Sequence, residues 1–307
     1  MDLRQVFANT LSKLMKENDK ICILDADLSK PNGTAPLHKE FPNRCFNVGI
    51  SEANMAGIAA GLSSYGYKPI ILTFTPFATR RICDQVAVSI AYAKQNVIIV
   101  GTDPGITAEL NGGTHMSFED IGVMRSIPTM QIYDVVDEIQ FEQAIPQLLE
   151  LEGPVYVRVP RKTRPVVFDK DYKFVLGKSD VLVEGKDISI LASGTMVHEA
   201  KLASEMLKQV GISAEVISVN MVKPLDKETI LKSIKKTNNA IVCENHNIYG
   251  GVYSAIAELI CQEYPIKCSA VGVNDVFGQV GKYDELLKAY EMTKEDIVKK
   301  VREQLNK

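Results

Sequence analysis

Short runs of β-branched and other apolar residues recur along this chain with longer segments of helical periodicity between them, and that alternation restricts the fold more than any other feature. The runs predicted as strands are 21–24, 46–50, 69–74, 97–101, 130–133 and 155–159, with helical patterns such as 81–94 and 138–149 between them. Strands separated by helices pair in parallel through right-handed crossovers, so the helices cover both faces of the sheet. Across 161–186 the rhythm breaks at Pro165 and among clustered Lys and Asp, which suits a linker. A second series follows, with strands at 187–192, 214–219, 240–244 and 267–273 and helices at 197–209 and 253–261. The last segment, TKEDIVKKVREQL, opens on Thr293 as an N-cap. The expected fold is α/β, with two doubly wound domains of mostly parallel sheet: residues 1–165, a linker at 166–186, and a smaller domain at 187–307.

A chain of 307 residues, 46% hydrophobic, can bury two cores. Its net charge of −3 is spread over interspersed acids and bases, so no electrostatic footprint for nucleic acid or an anionic membrane surface exists. Small molecules and other protein chains are the expected partners. Six cysteines without a C-x-x-C pair suggest buried free thiols in a reducing cytoplasm. The amphipathic stretch at 1–20 lacks the apolar core of a signal peptide, and no run approaches the roughly 20 apolar residues of a membrane span.

Ligands of open parallel sheets bind beyond the carboxyl ends of strands. Five polar groups fall there in the first domain: DADLS with Asp27, Ser51-Glu52, TFTPFATRR, TDPGITAELNGGTHMSFED and PRKTR. Glu52 reads either as a solvated first-turn acid capped by Ser51 or as a buried carboxylate, since the helix that follows it is apolar nearly all round. Phe74 continues a strand, whereas Phe77 follows Pro76 and is open to presentation to a ligand or interface. Arg81 can pair with Asp84 or serve an anion. The long loop after Gly101, with Pro104, Gly105, Gly112 and Gly113 and no strand or helix pattern, has the character of a functional segment. His115 stands near its end, before Ser117 and Asp120, which are placed as a capping box.

Assembled in order, these segments resemble the C-terminal half of transketolase-type thiamine diphosphate enzymes. GISEANMAGIAAGLSSYGYKPI resembles the family's G-I-x-E-x-N-M stretch, TFTPFATRRICDQV its aromatic loop, and NGGTHMSFEDIGVMRSIPTM its G-x-T-H block. VKPLD, VCENHNIYGGV and VFGQVGKYDELLKAYEMTKEDIV extend the likeness through the second domain. The resemblance implies that Glu52 hydrogen-bonds the cofactor's aminopyrimidine and favours its imino tautomer, which generates the carbanion for transfer of a two-carbon ketol unit from a ketose to an aldose. It further implies cofactor contacts at Asp27, Phe74, Phe77 and Arg81, and sugar contacts at Asp103, Asn111, His115 and Arg161, with Arg161 on the substrate phosphate and His115 also catalytic. The chain departs from the family pattern at Asp103, where histidine is usual, at Asn111, where aspartate is common, and at Cys83 and Val280. These departures put the usual pentose phosphates in doubt.

The family's G-D-G stretch, which holds the diphosphate and Mg²⁺, is absent. The resemblance therefore implies the C-terminal subunit of a split enzyme, with an N-terminal subunit supplying that site and a homodimer of this chain within a cytoplasmic heterotetramer. Alternatives are the β subunit of a 2-oxoacid dehydrogenase decarboxylase component, a 1-deoxyxylulose-phosphate synthase relative, and a non-catalytic regulatory subunit. A nicotinamide-dependent oxidoreductase is disfavoured by the lack of G-x-G-x-x-G after any strand. His246 is expected to be structural or interfacial.

Overall fold

The computed structural model describes residues 1–306, which form two compact units. Residues 1–104 and 123–176 make the first; residues 105–122 and 177–307 make the second.

The first unit is built on strands β1 (Ile21–Asp25), β2 (Cys45–Asn47), β3 (Lys68–Phe74), β4 (Ile98–Thr102), β5 (Gln131–Asp134) and β6 (Val155–Val159). They lie side by side as β5-β6-β4-β3-β1-β2, and every pairing among them is parallel. β1 and β6 are buried along their full length, which explains their unbroken apolar runs: a parallel sheet covered on both faces has no solvent side to alternate toward. The longer helices are α1 (Leu3–Glu17), α2 (Glu52–Ser64) and α3 (Glu138–Leu149). Phe7 of α1 stacks on Phe141 of α3 with ring centroids 5.5 Å apart.

Three local expectations change. β2 stops at Asn47 rather than running to Ile50, because Gly49 takes φ +74° and the Asn47 side chain accepts the Gly49 N–H at 2.9 Å. The helix predicted over 81–94 is a helical run of changing pitch, 3-10 at Arg80–Ile82, α at Cys83–Gln85 and π at Val86–Tyr92. Helix α2 is not buried all round: Met55, Ala56, Ala59 and Ala60 face the core, while Ala53, Gly57, Ile58 and Gly61 are exposed. Apolar character on that side therefore reflects a face left open in the single chain.

Part of the predicted linker is fixed to the first unit. Gln143 and Gln147, one turn apart on α3, each use both ends of the side-chain amide to hold it. Gln143 donates to the Tyr172 carbonyl and accepts from the Phe174 N–H; Gln147 donates to the Phe174 carbonyl and accepts from the Leu176 N–H.

The second unit carries β7 (Asp180–Val183), β8 (Ile188–Ala192), β9 (Ala214–Ser218), β10 (Met221–Lys223), β11 (Asn239–Asn247) and β12 (Lys267–Val273). Five of these form a sheet ordered β12-β11-β8-β9-β7, parallel except for β7, which runs antiparallel to β9 at the edge. Its longer helices are α4 (Met196–Gln209), α5 (Lys227–Thr237), α6 (Val252–Glu263) and α7 (Lys294–Leu305). Thr293 caps α7 as expected, in a capping box with Asp296.

Segment 105–122, expected in the first domain, is built into the second unit. The Ile106 N–H donates to Asn245 Oδ1 at 2.9 Å, and the Asn247 N–H donates to the Phe118 carbonyl at 2.8 Å. Phe118 meets the Tyr290 ring edge-on at 5.3 Å. Gly105 has φ +55°, and a Cβ there would collide with the Asn245 side chain.

Candidate functional site

In the first unit the sequence-selected residues gather into two clusters around neighbouring phenylalanines. Glu52 opens α2 and is 5% exposed. Ser51 does not cap it; the Ser51 hydroxyl donates to the Val48 carbonyl at 2.9 Å and closes the turn that presents Glu52. The carboxylate accepts a hydrogen bond from Arg81 Nη1 at 2.8 Å, so Arg81 pairs with Glu52 rather than with Asp84, its neighbour in sequence. The Arg81 guanidinium lies 3.6 Å from the centroid of the Phe77 ring. A planar group bearing N–H donors thus rests on an aromatic face and reaches a buried carboxylate at the same time.

Phe74 stands 6.1 Å from Phe77, tilted by 57°, and belongs to the second cluster. Asp103 follows β4 and Arg161 follows β6, two strands paired in register through Thr102 and Val159. The Asp103 N–H donates to the Val159 carbonyl at 2.9 Å, and Asp103 itself takes φ +55°, a conformation aspartate tolerates better than most residues. Its carboxylate accepts the Arg161 backbone N–H at 2.8 Å and Arg161 Nε–H at 2.5 Å. The Arg161 guanidinium sits 4.7 Å over the Phe74 ring. Burial pushes the Asp103 carboxyl above the ordinary carboxylate value, against the pull of Arg161 and Arg164.

Asp27 is exposed, with φ +62°, just beyond the end of β1. Asn47, at the end of β2, clamps it: Oδ1 accepts the Asp27 N–H at 3.0 Å and Nδ2 donates to Asp27 Oδ1 at 3.2 Å. Asn111 and His115 belong to the second unit with the rest of segment 105–122. Asn111 is exposed at the end of the stretch Gly105–Asn111, two short 3-10 pieces broken by a kink at Glu109, and His115 is half-buried with Nδ1 2.9 Å from the Thr114 hydroxyl.

Sequence reasoning missed the Glu52–Arg81 pair, because the partners are 29 positions apart, and the Asn47 clamp, because Asn47 reads as a strand residue. It also missed Asn245 as the anchor of segment 105–122. His246 has a structural setting: it is fully buried, Nδ1–H donates to the Asn247 carbonyl at 2.6 Å, and Nε2 accepts the Gly122 N–H at 3.4 Å. Glu244 beside it accepts the Val252 and Tyr253 N–H groups at the start of α6. Among the described residues no group of three or more His, Cys, Asp or Glu is placed to hold a metal ion, and no helix is long and apolar enough to cross a membrane.

Two family models together cover most of the chain, the first running through segment 105–122. Residues 1–165 match the family model for the transketolase pyrimidine binding domain, and residues 177–297 match the transketolase C-terminal domain. A 6-deoxy-6-sulfo-D-fructose transketolase subunit, SqwH, from a Clostridium species is 46% identical over 98% of this chain and 94% of its own length. An apulose-4-phosphate transketolase subunit of Phocaeicola vulgatus is 34% identical over 96% of this chain and 95% of its own. A solved structure titled as a split gene transketolase, inactive beta4 tetramer, superposes with a TM-score of 0.91 at 40% identity, covering 100% of this chain and 98% of that one. With two transketolase family models covering residues 1–165 and 177–297 and relatives aligned nearly end to end, the chain belongs to the transketolase family.

Proposed function

We propose that this chain is the C-terminal subunit of a split transketolase, transferring a two-carbon ketol unit from a ketose to an aldose together with a second polypeptide. That partner supplies the diphosphate and Mg²⁺ site, and thiamine diphosphate is the cofactor. The observation that carries the reading is the Glu52–Arg81–Phe77 cluster, in which a flat, N–H-bearing guanidinium lies on Phe77 with a hydrogen bond to the buried Glu52. An aminopyrimidine has both properties, so the residues fit the cofactor.

When bound, thiamine diphosphate supplies the electron sink that lets a carbonyl carbon act as a nucleophile. The chain's own residues have simpler tasks. Glu52, buried at the start of α2, would hydrogen-bond a ring nitrogen of the cofactor. Phe77 and Phe74 would supply an apolar surface for the cofactor ring, with Arg81 and Asp27 as further residues that would hold it. Arg161 binds the anionic end of the sugar, while His115, Asn111 and Asp103 act on the substrate side, with His115 exchanging a proton at a sugar hydroxyl. The relatives carry names for a sulfonated ketose and for a ketose phosphate, which supports a sugar with an anionic terminus. The exposed small-residue face of α2 is the proposed contact between two copies of this chain in a heterotetramer. The proposed location is the cytoplasm, in keeping with six cysteines that are all free thiols.

The test is co-expression with a partner that carries G-D-G. Ketol transfer should require both chains, thiamine diphosphate and Mg²⁺, and full activity from this chain alone defeats the proposal. Glu52→Gln in the assembled enzyme should lower turnover by about 10²-fold or more while assembly persists.

A further inference from the structure

Two side chains beneath the Asp27 turn have no part in the function proposed above. Asp25, the last residue of β1, is fully buried. Its Oδ1 accepts the Leu28 N–H at 3.2 Å and closes the turn 25–28 around Asp27. Its Oδ2 lies 2.6 Å from Nε2 of His38. His38 is partly exposed and belongs to the short helix Ala35–Glu40, which buried Leu37 anchors to the unit.

Asp27 needs such support. It takes φ +62°, a left-handed conformation that its surroundings must hold in place. Asp25 and Asn47 face each other in register at the ends of β1 and β2, and they capture consecutive amides: Asn47 accepts the Asp27 N–H, and Asp25 accepts the Leu28 N–H. Asp27 thus hangs between two side-chain acceptors, one of them a fully buried carboxylate.

A buried carboxylate stays in place only with a partner that offsets its desolvation. Burial pushes the Asp25 carboxyl above the ordinary carboxylate value, while His38 draws it down. At 2.6 Å the oxygen and the ring nitrogen must have a hydrogen between them, because two facing lone pairs would repel. A buried ion pair adds little stability over apolar residues of equal size, so its placement under Asp27 is the informative part.

We propose that Asp25 and His38 are positioning residues for the cofactor: Asp25 fixes the turn that presents Asp27, and the proton it shares with His38 keeps that buried carboxylate in place. The proposal rests on the reading of Asp27 as a residue that holds thiamine diphosphate.

The first test needs no cofactor. In the full chain at neutral pH, NMR should show a resolved signal from the hydrogen on His38 Nε2 and slow exchange of the Leu28 N–H. His38→Leu should speed Leu28 exchange by about tenfold or more, since the carboxylate loses its partner. Adding Asp25→Asn to that variant should bring the rate back to within about threefold of the parent, because the amide still accepts the Leu28 N–H and carries no charge to balance. A His38 that merely fills space would give no such recovery. Absence of the Nε2 hydrogen signal overturns the proposal, as does Leu28 exchange that His38→Leu leaves unmoved or the double variant fails to restore. If His38→Leu fails to fold, the signal of the unaltered chain decides alone.

A second arm uses the assembled enzyme. His38→Leu should raise KM for thiamine diphosphate about tenfold with kcat at saturating cofactor within about twofold, and the double variant should recover the KM. Ketol transfer with a cofactor KM unmoved by His38→Leu overturns the positioning role. Exchange results as expected, with no ketol transfer from the unaltered assembly, would sink the catalytic reading and leave the hold on the Asp27 turn standing.

Discussion

Side chains far apart in sequence define the chemistry of this molecule. Glu52 is marked by its place at the start of an apolar segment, but what it touches, Arg81 on Phe77, depends on how α2 and the helical run after β3 meet. The candidate residues were legible because residue type and motif order reveal them, whereas their pairing was not, because pairing is a property of packing. Asp103 illustrates the difference. In sequence it is an anomaly where histidine is usual; in the structure it is the partner that aims Arg161. Gly105 is a further case in which a single residue fixes geometry. Its positive φ and its closeness to Asn245 leave no room for a methyl group. Gly105→Ala should destabilise the chain by about 2–4 kcal/mol, from left-handed strain and loss of the Ile106–Asn245 hydrogen bond. Urea unfolding would show this as a lower midpoint, and an unchanged midpoint would contradict the role given to the glycine.

The elements were legible where hydrophobic runs are long and covered on both sides. The predicted spans 155–159 and 267–273 coincide with β6 and β12, and those for β1, β3 and β4 differ at their ends by a residue or so. β7 escaped because it is a short, half-exposed edge strand in a charged stretch, where no buried face writes a pattern. Helix α2 was misjudged because periodicity cannot distinguish a face buried by the chain itself from one awaiting a neighbour. This gives a direct prediction. A Cβ at Gly57 meets nothing within 4 Å, so Gly57→Leu should preserve or slightly raise the stability of the single chain, by up to about 1 kcal/mol from helix propensity. The same change should block self-association, and sedimentation of the variant at the parent's oligomeric mass would refute α2 as a copy-to-copy contact. Helix α5 offers a test of capping. Burial pushes the Asp226 carboxyl up, yet hydrogen bonds from Ser179, from the Thr229 hydroxyl and from the Thr229 N–H outweigh it and hold the group below the ordinary value of 3.8. A depressed native pKa stabilises the fold above the unfolded value, and this contribution is lost as pH falls through the folded one. Asp226→Ala should cost about 1–2 kcal/mol near pH 7, and the difference from the parent should shrink below about pH 4 in denaturant titrations.

At the scale of the whole molecule, alternating strands and helices announced two α/β units, but not that the chain passes between them at three points, near residues 104, 122 and 176. Nothing in composition separates 105–122 from a long loop of the first sheet. Its allegiance is set by Ile106, Met116 and Phe118, which are buried in the second unit, and by the bonds to Asn245 and Asn247. A fragment of residues 177–307 alone should therefore bind hydrophobic dyes and melt well below the intact chain. A synthetic 105–122 peptide should restore part of the loss in a concentration-dependent way. A fragment that melts cooperatively at the parent temperature without the peptide would show that the segment is dispensable. The same discontinuity bears on how such proteins can be recombined. An exchange of second units between relatives at residue 177 would join a foreign body to a native 105–122 segment and mismatch Gly105 against Asn245. A working chimera must trade both stretches together, so in heredity the two behave as one block interrupted by someone else's strands.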